Sequence, residues 1–211
     1  MNTFLTPKEI ETESMRRIAV GLQERGITIP EELQPVVYRA IHTTADFDYA
    51  DNLFFSTDVI RKAKAALQDG CDIVTDTNMA LTGISKVSCA KHGVQVHCYM
   101  ADDEIAAKAK EEGTTRAYAA MTHAAKLFPS GIFVSGNAPT ALIRLVELME
   151  ETDFRPRLVV GVPVGFVNVV ESKELLQQTC LKYNIPCIIA MGQKGGSNVA
   201  AAIINALLYS L

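Results

Sequence analysis

The sequence predicts an α/β protein with a parallel sheet of about five strands, helices on both faces of the sheet and an N-terminal helical cap. Three observations predict this class. Five short segments are almost continuously apolar, which is typical of strands covered on both faces. Helical patterns lie between these segments, and such alternation favours a parallel sheet. Two further helical patterns at the N-terminal end have no strand between them.

The two N-terminal helical patterns cover residues 7–26 and 31–42. The apolar residues of the second one recur at the spacing of a single helix face: Leu33, Val36, Val37, Ala40 and Ile41. Pro35 falls in its first turns, where a missing N–H is tolerated. We interpret these helices as a cap on the sheet, so residues 1–211 form a single domain.

The remaining strands and helices follow in alternation. The expected strands are 71–75 (CDIVT), 94–100 (VQVHCYM), 131–135 (GIFVS), 157–162 (RLVVGV) and 186–191 (PCIIAM). The expected helices are 58–68, one or two within 102–127, 138–150, 173–183 and 198–209. An Ala-rich stretch, residues 117–125, is expected to pack against a second copy of the chain.

Composition and charge exclude several classes of protein. The 211 residues include 20 Lys and Arg against 24 Asp and Glu, and no basic run suggests a nucleic-acid surface. Five scattered cysteines suit a reducing compartment rather than a disulfide framework. The apolar tail, residues 199–211, is shorter than the ~20 residues that cross a bilayer. We therefore expect a cytoplasmic protein without a membrane span or a signal peptide.

Three glycine-containing turns follow three expected strands, at residues 136–140, 161–167 and 192–197. A parallel sheet places them at its carboxyl edge, where open α/β proteins bind ligands. N–H groups at the helix starts suit an anion, with Asn137, Ser172 and Ser197 as expected N-caps. The alternative is that each turn needs glycine only for a positive φ. None matches G-x-G-x-x-G or G-x-x-x-x-G-K-[ST], so a nucleotide site is not supported.

His42 is the strongest candidate for proton transfer. It ends the second helix, where the negative end of the helix dipole favours the imidazolium form. Such a histidine is a good proton donor near neutral pH, and Asp46 is expected to orient it. The alternative is a histidine that only caps helix carbonyls.

A metal site is not expected. Cys89 and His92 have ligand-like spacing, but the neighbouring His97 and Cys98 point to opposite faces of an expected strand. Anionic ligands are instead expected to meet arginines. Arg116 stands at the opening of a helix, and its guanidinium suits a carboxylate.

Four sequence blocks resemble the precorrin-8X methylmutase family, whose anaerobic-pathway members act on cobalt-precorrin-8. They are residues 41–46 (IHTTAD), 136–142 (GNAPTAL), 161–167 (GVPVGFV) with 171–173 (ESK), and 194–197 (KGGS). The resemblance runs over nearly the whole chain. Two positions depart from it: Asn168-Val169-Val170 replaces a stretch of small residues, and Gln193 replaces a common arginine.

The resemblance implies a homodimeric isomerase of cobalamin biosynthesis without a separate cofactor. It would move a methyl group from C-11 to C-12 of precorrin-8X or cobalt-precorrin-8, giving hydrogenobyrinate or cobyrinate. His42 falls on the family's catalytic histidine, and Ser14 on its substrate-contacting serine. The remaining expected substrate contacts are Arg16, Thr43, Arg116, Asn137, Gly165, Lys194, Gly195 and Ser197. The alternatives are a non-catalytic corrinoid carrier of the same fold and, less favoured, a nucleotide-binding oxidoreductase.

Overall fold

The computed structural model describes residues 6–211, which form one six-stranded sheet surrounded by helices. The strands are β1 Leu53–Phe55, β2 Ile73–Thr75, β3 Val96–His97, β4 Ile132–Ser135, β5 Leu158–Gly161 and β6 Cys187–Ala190. Their spatial order is β1-β6-β5-β4-β2-β3, and all pairs except β1–β6 are parallel. The predicted α/β class with a mainly parallel sheet is therefore confirmed.

Eleven helices lie within the described residues. They are α1 Pro7–Glu24, α2 Gln34–Thr44, α3 Tyr49–Asn52, α4 Val59–Gln68, α5 Asn78–Gly83, α6 Lys86–Lys91, α7 Asp103–Glu111, α8 Arg116–Leu127, α9 Pro139–Glu151, α10 Val169–Lys182 and α11 Ser197–Tyr209. In the part of the chain described here, none of them combines the length and apolar character needed to span a membrane.

Each face of the sheet is covered by its own hydrophobic core. Ile132 of β4 packs with residues of α2, α4 and α11, whereas the next residue, Phe133, packs with residues of α8, α9 and α10. Successive side chains of a strand point to opposite faces, so a continuously apolar strand serves both cores. This explains why the apolar segments predicted the central strands.

The structure corrects the sheet at both edges. Strand β1 was not predicted; it pairs antiparallel with β6, with Leu53 opposite Ala190. Only three residues long, it has no periodicity of its own, and its pairing comes from the neighbouring strand. The expected strand 94–100 is reduced to β3, because β2, its only neighbour within residues 6–211, pairs with it through two residues, Ile73 and Val74.

Two helix boundaries near the expected site also differ from the prediction. The last residue of α2 is Thr44, and the next residue, Ala45, is left-handed with a φ of 55°. His42 therefore lies within the last turn of the helix instead of at its end. Helix α10 begins at Val169, after Asn168 in the left-handed region. Ser172 therefore lies inside α10, and its hydroxyl donates to the carbonyl of Val169 instead of capping the helix.

The Ala-rich stretch of α8 is used within the chain. Ala117, Ala119, Ala120, Ala124 and Ala125 are all buried, and they pack in the cores around α7, α9 and the sheet. Small side chains allow the neighbouring helices to approach closely. The expectation that this stretch packs against a second copy is therefore wrong.

Candidate functional site

The loops that follow β5 and β6 form one unit at the carboxyl edge of the sheet. The N–H of Gly196 donates to the carbonyl of Val162 at 2.8 Å, and the N–H of Gly165 donates to the carbonyl of Gln193 at 3.1 Å. A Cβ at Gly195 would collide with the carbonyl oxygen of Val162. Glycine is thus required at residue 195 for the two loops to touch, with Gly195 against Val162 and Pro163.

The turn after β4 is already occupied by a carboxylate of the chain. Buried Asp76 accepts from the N–H groups of Gly136, Asn137 and Ala138 at 2.8, 2.9 and 2.7 Å. It also accepts from the hydroxyl of Ser135 at 2.9 Å. These N–H groups are therefore not free for an external anion, contrary to the sequence prediction.

The caps predicted for α9 and α11 are both wrong. Ala138 precedes α9, and the exposed Asn137 makes no side-chain cap to it. Gly196 precedes α11, and Ser197 is its first residue, with a hydroxyl 2.8 Å from that of Thr77. No side chain caps α11. Of the three helix starts that follow the predicted turns, those of α10 and α11 thus have no side-chain cap, which suits an anion.

Lys194 links the loop after β6 to the end of α2. Its ammonium lies 2.6 Å from Asp46 and 2.5 Å from Asp48. Hydrogen bonds to these carboxylates raise the pKa of Lys194, and the ammonium lowers the pKa of Asp46. Asp46 is thus engaged by Lys194 and by the N–H of Asp48. The expectation from the sequence that Asp46 orients His42 is therefore wrong.

His42 is exposed and lies between two shallow cavities. A cavity of about 580 Å³ is lined by Pro7, Ile10, Glu11, Arg39, His42 and Tyr209. A second cavity, of about 300 Å³, is lined by His42, Thr43, Asn198 and parts of α5 and α11. His42, Arg39 and Tyr209 border both cavities, so a ligand larger than either one would lie across His42.

Arg39 is a polar neighbour of His42 that the sequence reasoning missed. Its guanidinium lies 2.6 Å from the carboxylate of Glu11 and 5.2 Å from the centre of the Tyr209 ring. The side chain is only 21% exposed. The available signal was spacing, because residues three apart on a helix are neighbours and Arg39 precedes His42 by three.

The two expected contacts on α1 differ in position. Ser14 lies on the helix face that carries Ile10 and Glu11 at spacings of four and three, and its hydroxyl donates to the carbonyl of Ile10. Arg16 is exposed and forms a bidentate pair with Glu13 at 2.7 and 2.8 Å. Arg16 and Arg17 together lower the pKa of Glu13 to about 2. Arg16 does not line the cavities beside His42.

Arg116 lies near the turn after β4. It is the exposed first residue of α8. The preceding residue, Thr115, caps α8, and its hydroxyl is 2.7 Å from the hydroxyl of Thr140 in the first turn of α9. The start of α8, which carries Arg116, therefore contacts the first turn of α9, the helix that follows Asn137.

The loop after β5 exposes large apolar side chains. Phe166 is 85% exposed, Val167 77% and Val164 48%. Clustered exposed apolar side chains mark surfaces that bind a ligand or another protein. The sequence reasoning concentrated on the glycines of this loop and missed these side chains.

Metal ligation is not suggested by the described residues, 6–211, which contain no group of three or more His, Cys, Asp or Glu suited to an ion. His97 stacks on Phe128, with ring centres 4.5 Å apart, and lies 3.4 Å from Asp72. Cys89 is buried in the core.

Comparisons with known proteins agree on one family. The family model described as precorrin-8X methylmutase matches residues 9–210. Cobalt-precorrin-8 methylmutase of Salmonella typhimurium is 48% identical over 218 aligned residues, covering 100% of this chain and 99% of that protein. Precorrin-8X methylmutase of Pseudomonas aeruginosa is 36% identical and covers 85% of each chain. A solved structure of precorrin-8x methyl mutase from Thermus thermophilus superposes with a TM-score of 0.83 at 37% identity, covering 95% of this chain and 96% of that one.

Proposed function

The chain belongs to the precorrin-8X methylmutase family, and we propose that it moves a methyl group from C-11 to C-12 of cobalt-precorrin-8 to give cobyrinate. Methylmutases are isomerases, and this one acts in cobalamin biosynthesis. The 48% identity to cobalt-precorrin-8 methylmutase of Salmonella typhimurium supports the cobalt-containing substrate. The metal-free precorrin-8X is the second candidate, supported by the 36% identity to the Pseudomonas aeruginosa protein.

The observation that supports the proposed mechanism is the position of His42 between two open cavities. The substrate is a large, flat, apolar macrocycle edged with carboxylates, too large for either cavity alone. Lying across both cavities, its ring would face His42 and Arg39, with Ile10 on one side and Thr43 and Asn198 on the other.

The chemical step needs electron demand at the acceptor end of the conjugated ring. We assign this role to His42, which donates its proton to the conjugated ring system while the methyl group leaves C-11 and bonds to C-12. The proton returns to His42 when the new bond has formed. No atom or electron is gained or lost, so the reaction requires no co-reactant.

The carboxylates at the edge of the macrocycle require local positive features, because the protein carries a net charge of −4. The uncapped start of α11, with Gly195 and Ser197, supplies N–H donors, and Arg116 supplies a guanidinium. Ser14, Thr43, Asn137 and Gly165 are proposed as further contacts. Arg16 is proposed from its place beside Ser14 on α1, and Lys194 from the block at residues 194–197. A substrate carboxylate would compete there with Glu13 and with Asp46 and Asp48.

We further propose that the protein is a homodimer in the cytoplasm. The family resemblance supports both proposals. The dimer is also supported by Phe166 and Val167, whose exposed apolar side chains provide contact surface that the Ala-rich stretch of α8 does not.

The decisive experiment is turnover. Purified protein is incubated with cobalt-precorrin-8, and in parallel with precorrin-8X, while the visible spectrum is followed. We expect conversion to cobyrinate, and faster conversion of the cobalt form. A carrier would bind the tetrapyrrole but leave it chemically unchanged, and that result would contradict the proposed activity.

A further inference from the structure

Lys173 is a buried cation to which the proposed mechanism assigns no role. It lies in the second turn of α10 and is 0% exposed. Burial lowers its pKa to about 8. Removing an ammonium from water is costly unless its N–H groups find acceptors, so its hydrogen-bond partners show what this lysine holds.

Both acceptors belong to the loop after β6. The ammonium of Lys173 donates to the carbonyl of Gly192 at 2.6 Å and to the carbonyl of Lys194 at 2.8 Å. In this loop Gly192, Gly195 and Gly196 have φ values of 75°, 159° and 133°. Glycine-rich backbone of this kind loses much conformational entropy on ordering, so a two-point anchor matters here.

The anchored loop in turn holds the end of α2. The carbonyl of Lys194 binds Lys173, while the side chain of Lys194 reaches Asp46 and Asp48. Asp46 follows the left-handed Ala45 that ends α2, only four residues after His42. A continuous set of hydrogen bonds and ion pairs therefore leads from Lys173 to the turn that carries His42.

We propose that Lys173 is a positioning residue for the methyl shift, which holds the loop at residues 192–196 so that Lys194 fixes the His42 end of α2 through Asp46. The inference rests on the proposed function, in which His42 is the proton donor. Lys173 itself touches neither the substrate nor the reacting atoms. Misplacing an acid by about 1 Å lowers turnover by up to ~10²-fold, which sets the size of the expected effect.

The test is a double-mutant cycle on kcat with saturating cobalt-precorrin-8. Lys173→Met removes the donor, Lys194→Met removes the ion pairs, and Lys182→Met is the matched control in the exposed part of α10. We expect Lys173→Met to lower kcat by ~10- to 100-fold and Lys182→Met to leave it unchanged. The double variant should be no slower than the slower single variant, because both substitutions break the same set of contacts between Lys173, Lys194 and Asp46. Multiplicative effects, or a lowered melting temperature with unchanged kcat, would overturn the proposal.

A second readout needs no turnover. Hydrogen exchange at residues 192–197, followed by mass spectrometry, should accelerate in Lys173→Met and change little in Lys182→Met. If Lys173→Met does not fold, Lys173→Gln replaces it, because the amide keeps an N–H donor but cannot reach both carbonyls. Inactivity of the wild-type protein would contradict the proposed function alone; unchanged exchange in the Lys173 variant would contradict the anchoring of the loop.

Discussion

Single side chains decide which parts of the carboxyl edge are available to a ligand. Asp76 fills the turn after β4 with a carboxylate from the chain itself. By contrast, no side chain caps the start of α11. Two turns that look alike in sequence therefore differ in function. The turn after β4 is stabilised by a carboxylate of the chain, whereas the turn before α11 is proposed to bind a carboxylate of the substrate.

Asp76→Asn should destabilise the fold. The new amide NH₂ would face N–H donors of the turn, leaving buried donors unsatisfied, so we expect a loss of about 2–3 kcal/mol in the free energy of unfolding. Urea denaturation measures this loss. Asp153→Asn, at an exposed aspartate, is the control and should change stability little. Equal stability of the two variants would show that Asp76 does not hold the turn.

His42→Asn should separate hydrogen bonding from proton donation. His42 is exposed, so the variant should fold and still bind the tetrapyrrole. Turnover should fall ~10²-fold or more, because an amide donates a hydrogen bond but not a proton. His42→Ala should be similarly slow. Full activity of His42→Asn, measured from the visible spectrum of the substrate, would contradict the role of proton donor.

Arg116→Ala should weaken substrate binding and spare the chemical step. The carboxylates at the edge of the macrocycle are the same before and after the methyl shift, so their contacts contribute equally to ground and transition states. Loss of such uniform binding raises KM with kcat unchanged. Steady-state kinetics measure KM and kcat, and Arg61→Ala, at an exposed arginine of α4, is the control. A KM equal to that of the wild type would remove Arg116 from the binding site.

At the scale of elements, two loops and two helix ends form one assembly. The loops after β5 and β6 touch through Gly195, α10 contributes Lys173, and α2 is joined through Lys194. Helix α11, packed on α2, closes the smaller cavity with Asn198. The proposed proton donor, His42, therefore lies on one element, and the contacts that we propose to orient it are made by others.

The buried Lys173 should leave a signature in the pH dependence of stability. Its pKa is lowered to about 8 in the fold, below its value of ~10.4 in an unfolded chain. Between these two values the unfolded state binds more protons, so the contribution of Lys173 to stability rises with pH across this window. We measure the unfolding free energies of wild type and Lys173→Met from pH 7.5 to 10.5. The value for the wild type should rise relative to that of the variant as the pH increases. A pH-independent difference would contradict the lowered pKa.

At the scale of the whole molecule, the proposed site is open. His42 is exposed between shallow cavities, and Phe166 and Val167 stand out at the same edge of the sheet as the start of α11. A substrate or a second copy of the chain would each remove apolar surface from water here. Openness of this kind suits a large rigid macrocycle, which needs orientation more than enclosure.

The oligomeric state is testable directly. We expect light scattering at micromolar concentration to give a mass of two chains, that is, twice 23.0 kDa. Replacing Phe166 and Val167 by serine should lower this mass toward one chain if these side chains form the contact. A wild-type mass of one chain would contradict the dimer.

Local pattern alone determined much of this protein. Continuously apolar segments predicted the central strands β2, β4, β5 and β6, because burial on both faces leaves a pattern within each segment. Helix periodicity predicted the longer helices, and four sequence blocks predicted the family, which the match over residues 9–210 confirmed. The carboxyl-edge placement of the three turns followed from parallel pairing.

The tertiary structure decided what depends on residues distant in sequence. Strand β1 exists because β6 offers it a partner more than 130 residues later. Asp76 binds the turn at residues 136–138 from 60 residues away in the sequence. Lys194, which is 148 residues from Asp46, pairs with the carboxylate that was expected to orient His42. Spacing along the chain carries the geometry of one helix or strand, whereas the partner of a charge or a free N–H is chosen by the packing of elements, which no local window contains.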